Sequence, residues 1–349
     1  FADHLVQRYG IDEVATWGFE VWNEPNLEVF WAGTQDEYFR LYDEAAAAVK
    51  SVDERLLVGG PSTAAAEWIT ALVEHTRIND VPLDFVSSHT YGNVPLDTRP
   101  AVDGAPAVGD RVWWTEWGVG STHFGPVHDS VAGAPFVLTG YRAVQHRLEA
   151  LAYWVVSDHF EELGRPESLF HNGFGLLSIG NLRKPRYWAA SLAAQQGDEV
   201  LAGSLTGDGA EVLVQSWATR HGDGTIDVLL WNGTVNSQVM YGDDRLRRTI
   251  GVEVAGLVAG SHQVQLSRID AQHSNIVGLL DPDVRWPDAE QWKRLREADF
   301  LYTEQLPELT VGAGGSGQFT VDLPQPGVLR LRLSPPPPND SNATHPESK

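Results

Sequence analysis

The chain has 349 residues, 42% hydrophobic and 21% charged, which is length enough for two domains with sizeable cores and an ordinary globular composition. Its 47 acids against 25 basic residues give a formal charge of -22, which repels phosphate backbones and anionic bilayers, so neither nucleic acid nor membrane is expected as a partner. The absence of cysteine excludes disulfides and thiolate metal sites but fits a cytoplasmic or a secreted protein equally, and no apolar run approaches the roughly 20 residues that span a bilayer.

Phe1, Leu5, Val6 and Tyr9 share one helix face that Gly10 terminates, and with no capping residue before them the chain is expected to begin inside a helix. Trp17 to Trp22 then reads as a strand, followed by a helix whose Thr34 and Glu37 have capping-box spacing. The alternation repeats. Strands are predicted at Arg55 to Gly60, Leu83 to Tyr91, Arg111 to Gly118 and Ala150 to Phe160. Helices are predicted over "AAAEWITALVEHT", "APFVLTGYRAVQHRLEA" and "KPRYWAASLAAQQ", with Pro185 in the first turn of the last.

Five β/α units with nearly continuous apolar strands imply an α/β fold with a parallel sheet covered on both faces, and a (β/α)8 TIM barrel is the natural candidate over residues 1–197. Three units of such a barrel are then expected upstream of Phe1, making this chain a C-terminal portion of a longer protein. Expressed alone it is expected to fold poorly and to be inactive, because a barrel short of three strands leaves sheet edges unpaired.

Over 198–335 the texture changes to short alternating runs separated by turns such as "HGDG", the pattern of an antiparallel β-sandwich, interrupted by one helix in "DAEQWKRLREADF". Residues 336–349 are proline-rich and polar and are predicted to be disordered. "NGT", "NDS" and "NAT" match the glycosylation triplet, which chance also supplies. Most of the 13 tryptophans are expected in cores, although Trp near strand-end acids also suits stacking on sugar rings.

In a β/α barrel the strand ends converge on one mouth. "WGFEVWNEPN" puts Glu24 at the end of one strand, and "WWTEWG" puts Glu116 in the corresponding place three units later. Two such carboxyls suit glycosidic cleavage, in which a protonated acid donates to the leaving oxygen and an ionised one faces the anomeric carbon. The acid is expected to be the member whose pKa is raised by an apolar wall and its neighbour's charge. No metal cluster, nucleotide loop or cofactor motif accompanies the pair, so neither metal nor cofactor is expected.

"FEVWNEPN", "SSHTYG", "TEWG", "YWVVSDHFEE", "FHNGFGLLSIGNLRKPRYWA" and "IDAQHSN" together resemble glycoside hydrolase family 39, the β-xylosidases and α-L-iduronidases, and most resemble its β-xylosidases, from Phe1 to about Ser334. The resemblance makes the Glu24 and Glu116 strands the fourth and seventh of the barrel. It implies a retaining reaction with Glu24 as acid/base and Glu116 as nucleophile. Asn23 fits a donor to the sugar 2-hydroxyl, the alternative being a local turn contact. His89 and Tyr91 would line the mouth, with Tyr91 touching the nucleophile and a structural histidine as the alternative for His89. Trp154 would floor the sugar, against core packing, and Glu161 and Glu162 would accept from sugar hydroxyls. Val155, Val156 and His159 depart from the family pattern, and the loop 92–110 matches it poorly.

The reading implied is an exo-acting β-xylosidase on xylo-oligosaccharides. An iduronidase, which needs a cation for its substrate carboxylate, an arabinosidase and an inactive sugar-binding homologue are the alternatives, and homo-oligomerisation is left open.

Overall fold

A computed structural model describes residues 1–102, 108–109 and 111–337. In chain order the first elements are α1 (Ala2–Tyr9), α2 (Ile11–Val14), β1 (Gly18–Glu20), α3 (Gln35–Lys50), β2 (Leu57–Ala64), α4 (Ile69–Asn79), β3 (Phe85–Tyr91), α5 (Arg99–Val102), β4 (Val112–Gly118), α6 (Gly133–Val144), β5 (Ala150–Tyr153) and α7 (Pro185–Ala194). The five strands form one wholly parallel sheet in the order β1-β2-β3-β4-β5, a partial TIM barrel. Tyr38, Phe39, Tyr42 and Ala46 of α3 and Ile69, Leu72 and Val73 of α4 bury one face of the helices against Val58, Val86 and Val112 of the sheet. Thr34 caps α3 with the expected box, its hydroxyl accepting from Glu37 N while Glu37 Oε2 accepts from Thr34 N.

The sheet is strongly curled. Laid flat, β1 and β4 would stand about 14 Å apart, three strand spacings of about 4.8 Å. Instead Thr115 Oγ1 of β4 donates to Glu20 Oε1 of β1 over 2.7 Å. The ring of Trp113 lies where a Cβ on Gly18 would stand, 2.1 Å from it, so only glycine fits that position of β1. Trp113 also stacks on Phe85 of β3, with centroids 3.9 Å apart, filling the concave side one layer below Glu20 and Thr115.

Several boundaries differ from the sequence prediction for local reasons. β1 covers only Gly18–Glu20 because Trp22 turns into the left-handed region (φ 70°). β2 runs past Pro61 to Ala64, accommodating the proline at an irregular pairing. α4 starts at Ile69, not among the preceding alanines, because the backbone after β2 is left-handed at Ala65, Ala66 and Trp68 and is held so by side chains. Asn26 Oδ1 accepts from Ala64 N, and Ser88 Oγ accepts from Ala66 N. The apolar run predicted as a strand to Phe160 leaves the sheet after Tyr153, once Trp154 N has donated to Trp117 O.

The remaining elements are β6 (Glu199–Val200), β7 (Val214–Arg220), β8 (Ile226–Asn232), β9 (Arg248–Ala255), β10 (Gly260–Ile269), α8 (Ala289–Ala298), β11 (Tyr302–Val311), β12 (Ser316–Leu323) and β13 (Gly327–Ser334). A six-stranded antiparallel sheet, β11-β10-β13-β8-β7-β6, and the pair β12-β9 share one core that includes Val228, Leu266 and Leu331 from the first and Val254, Val321 and Leu323 from the second. β11, absent from the sequence reading, is an edge strand that carries Pro307 at a register shift against β10, a place where proline costs no central ladder bond.

"IDAQHSN" is a structural corner. Asp270 Oδ1 accepts from the backbone of Gln272 and His273 and from His273 Nδ1. The triplet at Asn232 is buried on β8 with its amide donating to Leu246 O, so it is closed to glycan transfer. The other two triplets and the tail from 338 onward, predicted to be disordered, lie outside the described residues.

The chain divides into two compact units: Phe1–His128, Thr139–Asp158 and Asn172–Gly175 form the first, and Asp129–Leu138, His159–His171 and Leu176–Lys349 the second. These interleave along the sequence, unlike the single boundary at 197. Placing a domain boundary between α7 and β6 remains a proposal based on the change from helix–strand alternation to antiparallel strands.

Candidate active site

Two irregularities in strand pairing aim the side chains at the carboxyl end of the sheet. Pro61 pairs with Ser87 and Thr63 with Ser88, leaving Ser62 as an extra residue; Trp114 pairs with Ser88 and Glu116 with His89, leaving Thr115 extra. In a regular strand Thr115 and Glu116 would face opposite sides of the sheet. The bulge at Thr115 turns both inward, a known use of bulges beside functional sites.

Glu24 enters from the turn after β1. Its backbone N donates to Ser62 O over 2.9 Å, and it holds φ 42° while Trp22 and Ser62 hold 70° and 55°. Each such non-glycine residue costs about 1–3 kcal/mol of backbone strain that the surrounding structure must offset.

His89, 1% exposed, sits between the acids. Its Nδ1 lies 2.9 Å from Glu24 Oε1 and 3.6 Å from Glu116 Oε2, and its Nε2 lies 3.1 Å from Ser62 Oγ. Whenever Glu24 is ionised it can only accept, so Nδ1 then presents the proton facing it, and the Ser62 hydroxyl completes the ring's partners. Tyr91 donates to Glu116 Oε2 over 2.6 Å. Carboxyl oxygens of Glu24 and Glu116 and a ring nitrogen of His89 all lie within 4.8 Å of one another.

Burial pushes the Glu116 carboxyl above its ordinary value; the charges of Glu24 and Glu20 add to this, while His89 and the Tyr91 hydrogen bond oppose it. Burial, followed by the charge of Glu116, drives the Tyr91 phenol far above its usual range, so it stays a donor. Tyr91→Phe is expected to raise the titration midpoint of Glu116 further, since the donor that favours its ionised form is lost. Carboxyl ¹³C NMR of the variant reads this directly.

Asn23 is exposed, and its side chain makes no hydrogen bond among the described residues, which removes the local turn contact as its explanation. Trp154 follows β5 and is half-buried, its backbone N donating to Trp117 O beside the Glu116 strand end. Glu161 and Glu162 belong to a different unit from the pair. They lie on an exposed turn grouped with the second unit, where Glu161 stands 3.8 Å from Arg165.

Four residues of the site escaped sequence reading: Glu20, Ser62, Thr115 and Asn26. Glu20 had a signal, an acid within the apolar run "GFEVW". Asn26 ties the loop after β1 to the loop after β2 through Ala64 and Glu67. Its importance depends on a contact 38 residues away that no local pattern encodes.

A partial β/α barrel with paired strand-end carboxyls, one bonded to histidine and the other to tyrosine, defines a class of barrel that carries a two-acid site. The sequence profile of Glycosyl hydrolases family 39 matches residues 1–102 and 105–307, and the chain belongs to that family. It is 41% identical over 209 residues to a β-xylosidase of Caldicellulosiruptor saccharolyticus, covering 54% of this chain and 43% of that protein. It is 37% identical over 257 residues to a β-xylosidase of Geobacillus stearothermophilus, covering 66% and 49%. The chain thus spans about half the length of these relatives or less. The crystal structure of a family 39 enzyme from Xanthomonas axonopodis pv. citri superposes with a TM-score of 0.84 at 29% identity, over 96% of this chain and 72% of that one.

Proposed function

We propose that the protein is a retaining, exo-acting β-xylosidase that releases xylose from xylo-oligosaccharides. The observation that carries the reading is the approach of the Glu24 and Glu116 carboxyls to within 4.8 Å at their nearest oxygens. Retaining glycosidases hold the two groups about 5–5.5 Å apart, whereas inverting ones need about 6.5–9.5 Å for a water.

Glu116 attacks the anomeric carbon while Glu24 gives its proton to the departing oxygen, leaving an ester between xylose and Glu116. Glu24, now ionised, then takes a proton from water as that water displaces Glu116 from the sugar. The assignment of the two roles follows the family. It is supported by Tyr91, whose O–H bond to Glu116 favours the ionised nucleophile, and by His89, whose ring orients Glu24. Asn23, with its side chain open to solvent beside the acid, is the proposed donor to the 2-hydroxyl, and Trp154 the proposed floor of the sugar site.

A neutral pentose is favoured over a uronate, whose carboxylate calls for arginine or lysine, because the strand-end residues Asn23, Glu24, His89, Tyr91, Glu116 and Trp154 are acidic, aromatic or amide-bearing. Both curated relatives named above are β-xylosidases. Proton NMR of early hydrolysis of an aryl β-xyloside is expected to show β-xylose first, with the α anomer growing in only by mutarotation. Initial appearance of α-xylose would mean inversion and overturn the mechanism.

A further inference from the structure

A third carboxylate lies one layer below the proposed catalytic pair and has no place in the double displacement. Glu20 is the last residue of β1, four positions before Glu24, and its Oε1 accepts from Thr115 Oγ1 across the concave side of the sheet. Thr115 is the extra residue of the β3–β4 pairing, and Glu116 follows it directly.

We propose that Glu20 is a positioning residue whose bond to the bulged Thr115 fixes the direction in which Glu116 leaves β4. This rests on the reading of Glu116 as the nucleophile. The geometry supports it in two ways. A bulge leaves its extra residue unpaired in the ladder, so a side-chain bond is what remains to brace it. Moreover, the Thr115 hydroxyl reaches a strand that is not its neighbour, so the bond braces the curl of the sheet as well as the bulge. The Trp113–Phe85 stack fills the layer below it, Trp113 standing two residues before Thr115 on β4. The charge of Glu20 also acts on its surroundings, adding to the burial that raises both Glu116 and Tyr38. Glu20 therefore holds the nucleophile in place and contributes to the pH at which it ionises.

The test compares Glu20→Gln, Glu20→Ala and Thr115→Val in the full chain. Glu20→Gln retains an oxygen that can accept from Thr115 but loses the charge. Its kcat at optimum should fall far less than that of the other two, and the acid limb of its kcat/KM profile should move to lower pH, because a neighbour opposing Glu116 ionisation is gone. Glu20→Ala and Thr115→Val should lose on the order of 10- to 100-fold in kcat with little change in KM, the size of effect a misplaced reacting group produces.

Parent-like kcat in both Ala and Val variants overturns the proposal, as does a loss in Glu20→Gln as deep as in Glu20→Ala. Carboxyl ¹³C titration of Glu116 in Glu20→Gln gives a readout free of turnover: the midpoint should fall, and an unmoved or raised midpoint also overturns the proposal. If instead Glu116→Gly keeps xyloside turnover, the reading of Glu116 as nucleophile fails, while the titration still decides whether Glu20 acts on that carboxyl.

Discussion

Glu116→Gly is expected to lower kcat on aryl β-xylosides on the order of 10⁴-fold or more, the scale seen when a covalent nucleophile is deleted. Without the carboxylate no glycosyl ester can form, and the remaining groups only bind and orient. The space left by the side chain can admit a small anion. Azide added at high concentration is then expected to attack the anomeric carbon from the vacated side in one displacement, giving α-xylosyl azide with departure of the aryl alcohol.

Loss of activity through unfolding can be told apart from loss of chemistry. Glycine within a strand costs about 0.5–1 kcal/mol. In the other direction, Glu116 has its folded-state pKa raised, chiefly by burial. The native state then binds the proton more tightly than the unfolded chain, and stability falls as pH rises from the unfolded value toward the folded one. Removing the group removes that penalty above both values, so Tm at neutral pH should stay close to that of the parent. Equal sugar affinity in parent and Glu116→Gly, with neither turning over aryl β-xylosides, would favour the inactive sugar-binding alternative.

The parts of this site legible in the sequence are those set by local physics. An apolar run stopped by Asn23, Glu24 and Pro25 marks a strand end, and so does "WWTEWG"; their matching places in a repeating β/α pattern bring Glu24 and Glu116 to one mouth. His89 and Tyr91, spaced two apart on one strand, share a face and bond Glu24 and Glu116, but it was the family resemblance, not local pattern, that singled them out. What could not be read depends on pairing between strands. Nothing in "GGPSTA" or "VWWTEW" says that Ser62 and Thr115 are extra residues, because a bulge exists only relative to a partner strand. The left-handed loop after β2 reads as helix for the same reason, its conformation being set by Asn26 and Ser88 from other segments. β11 was hidden by its acids and Pro307, which an edge strand tolerates and a central strand would not.

Glu24→Gln and Glu24→Ala are expected to separate substrates by leaving group. Neither side chain can donate a proton to a departing sugar oxygen, so kcat/KM on xylo-oligosaccharides should fall roughly 10²- to 10⁴-fold, the usual contribution of a general acid. An activated dinitrophenyl xyloside leaves without help, and the first displacement should be nearly as fast as in the parent. The second, which needs Glu24 as base, should then limit turnover, so the xylosyl ester on Glu116 accumulates and KM falls along with kcat. Azide should restore turnover and yield β-xylosyl azide, since it attacks the ester from the side that water would have used. The basic limb of the pH profile should disappear in both variants.

The two differ in stability. The amide of Glu24→Gln can still accept from His89 Nδ1, whereas alanine strips a partner from a ring that is 1% exposed, at a cost of about 1–3 kcal/mol. Equal chemical loss with a lowered Tm only in Glu24→Ala is therefore expected. A fall of the same size on every leaving group in Glu24→Gln would mean that Glu24 transfers no proton and acts only through His89.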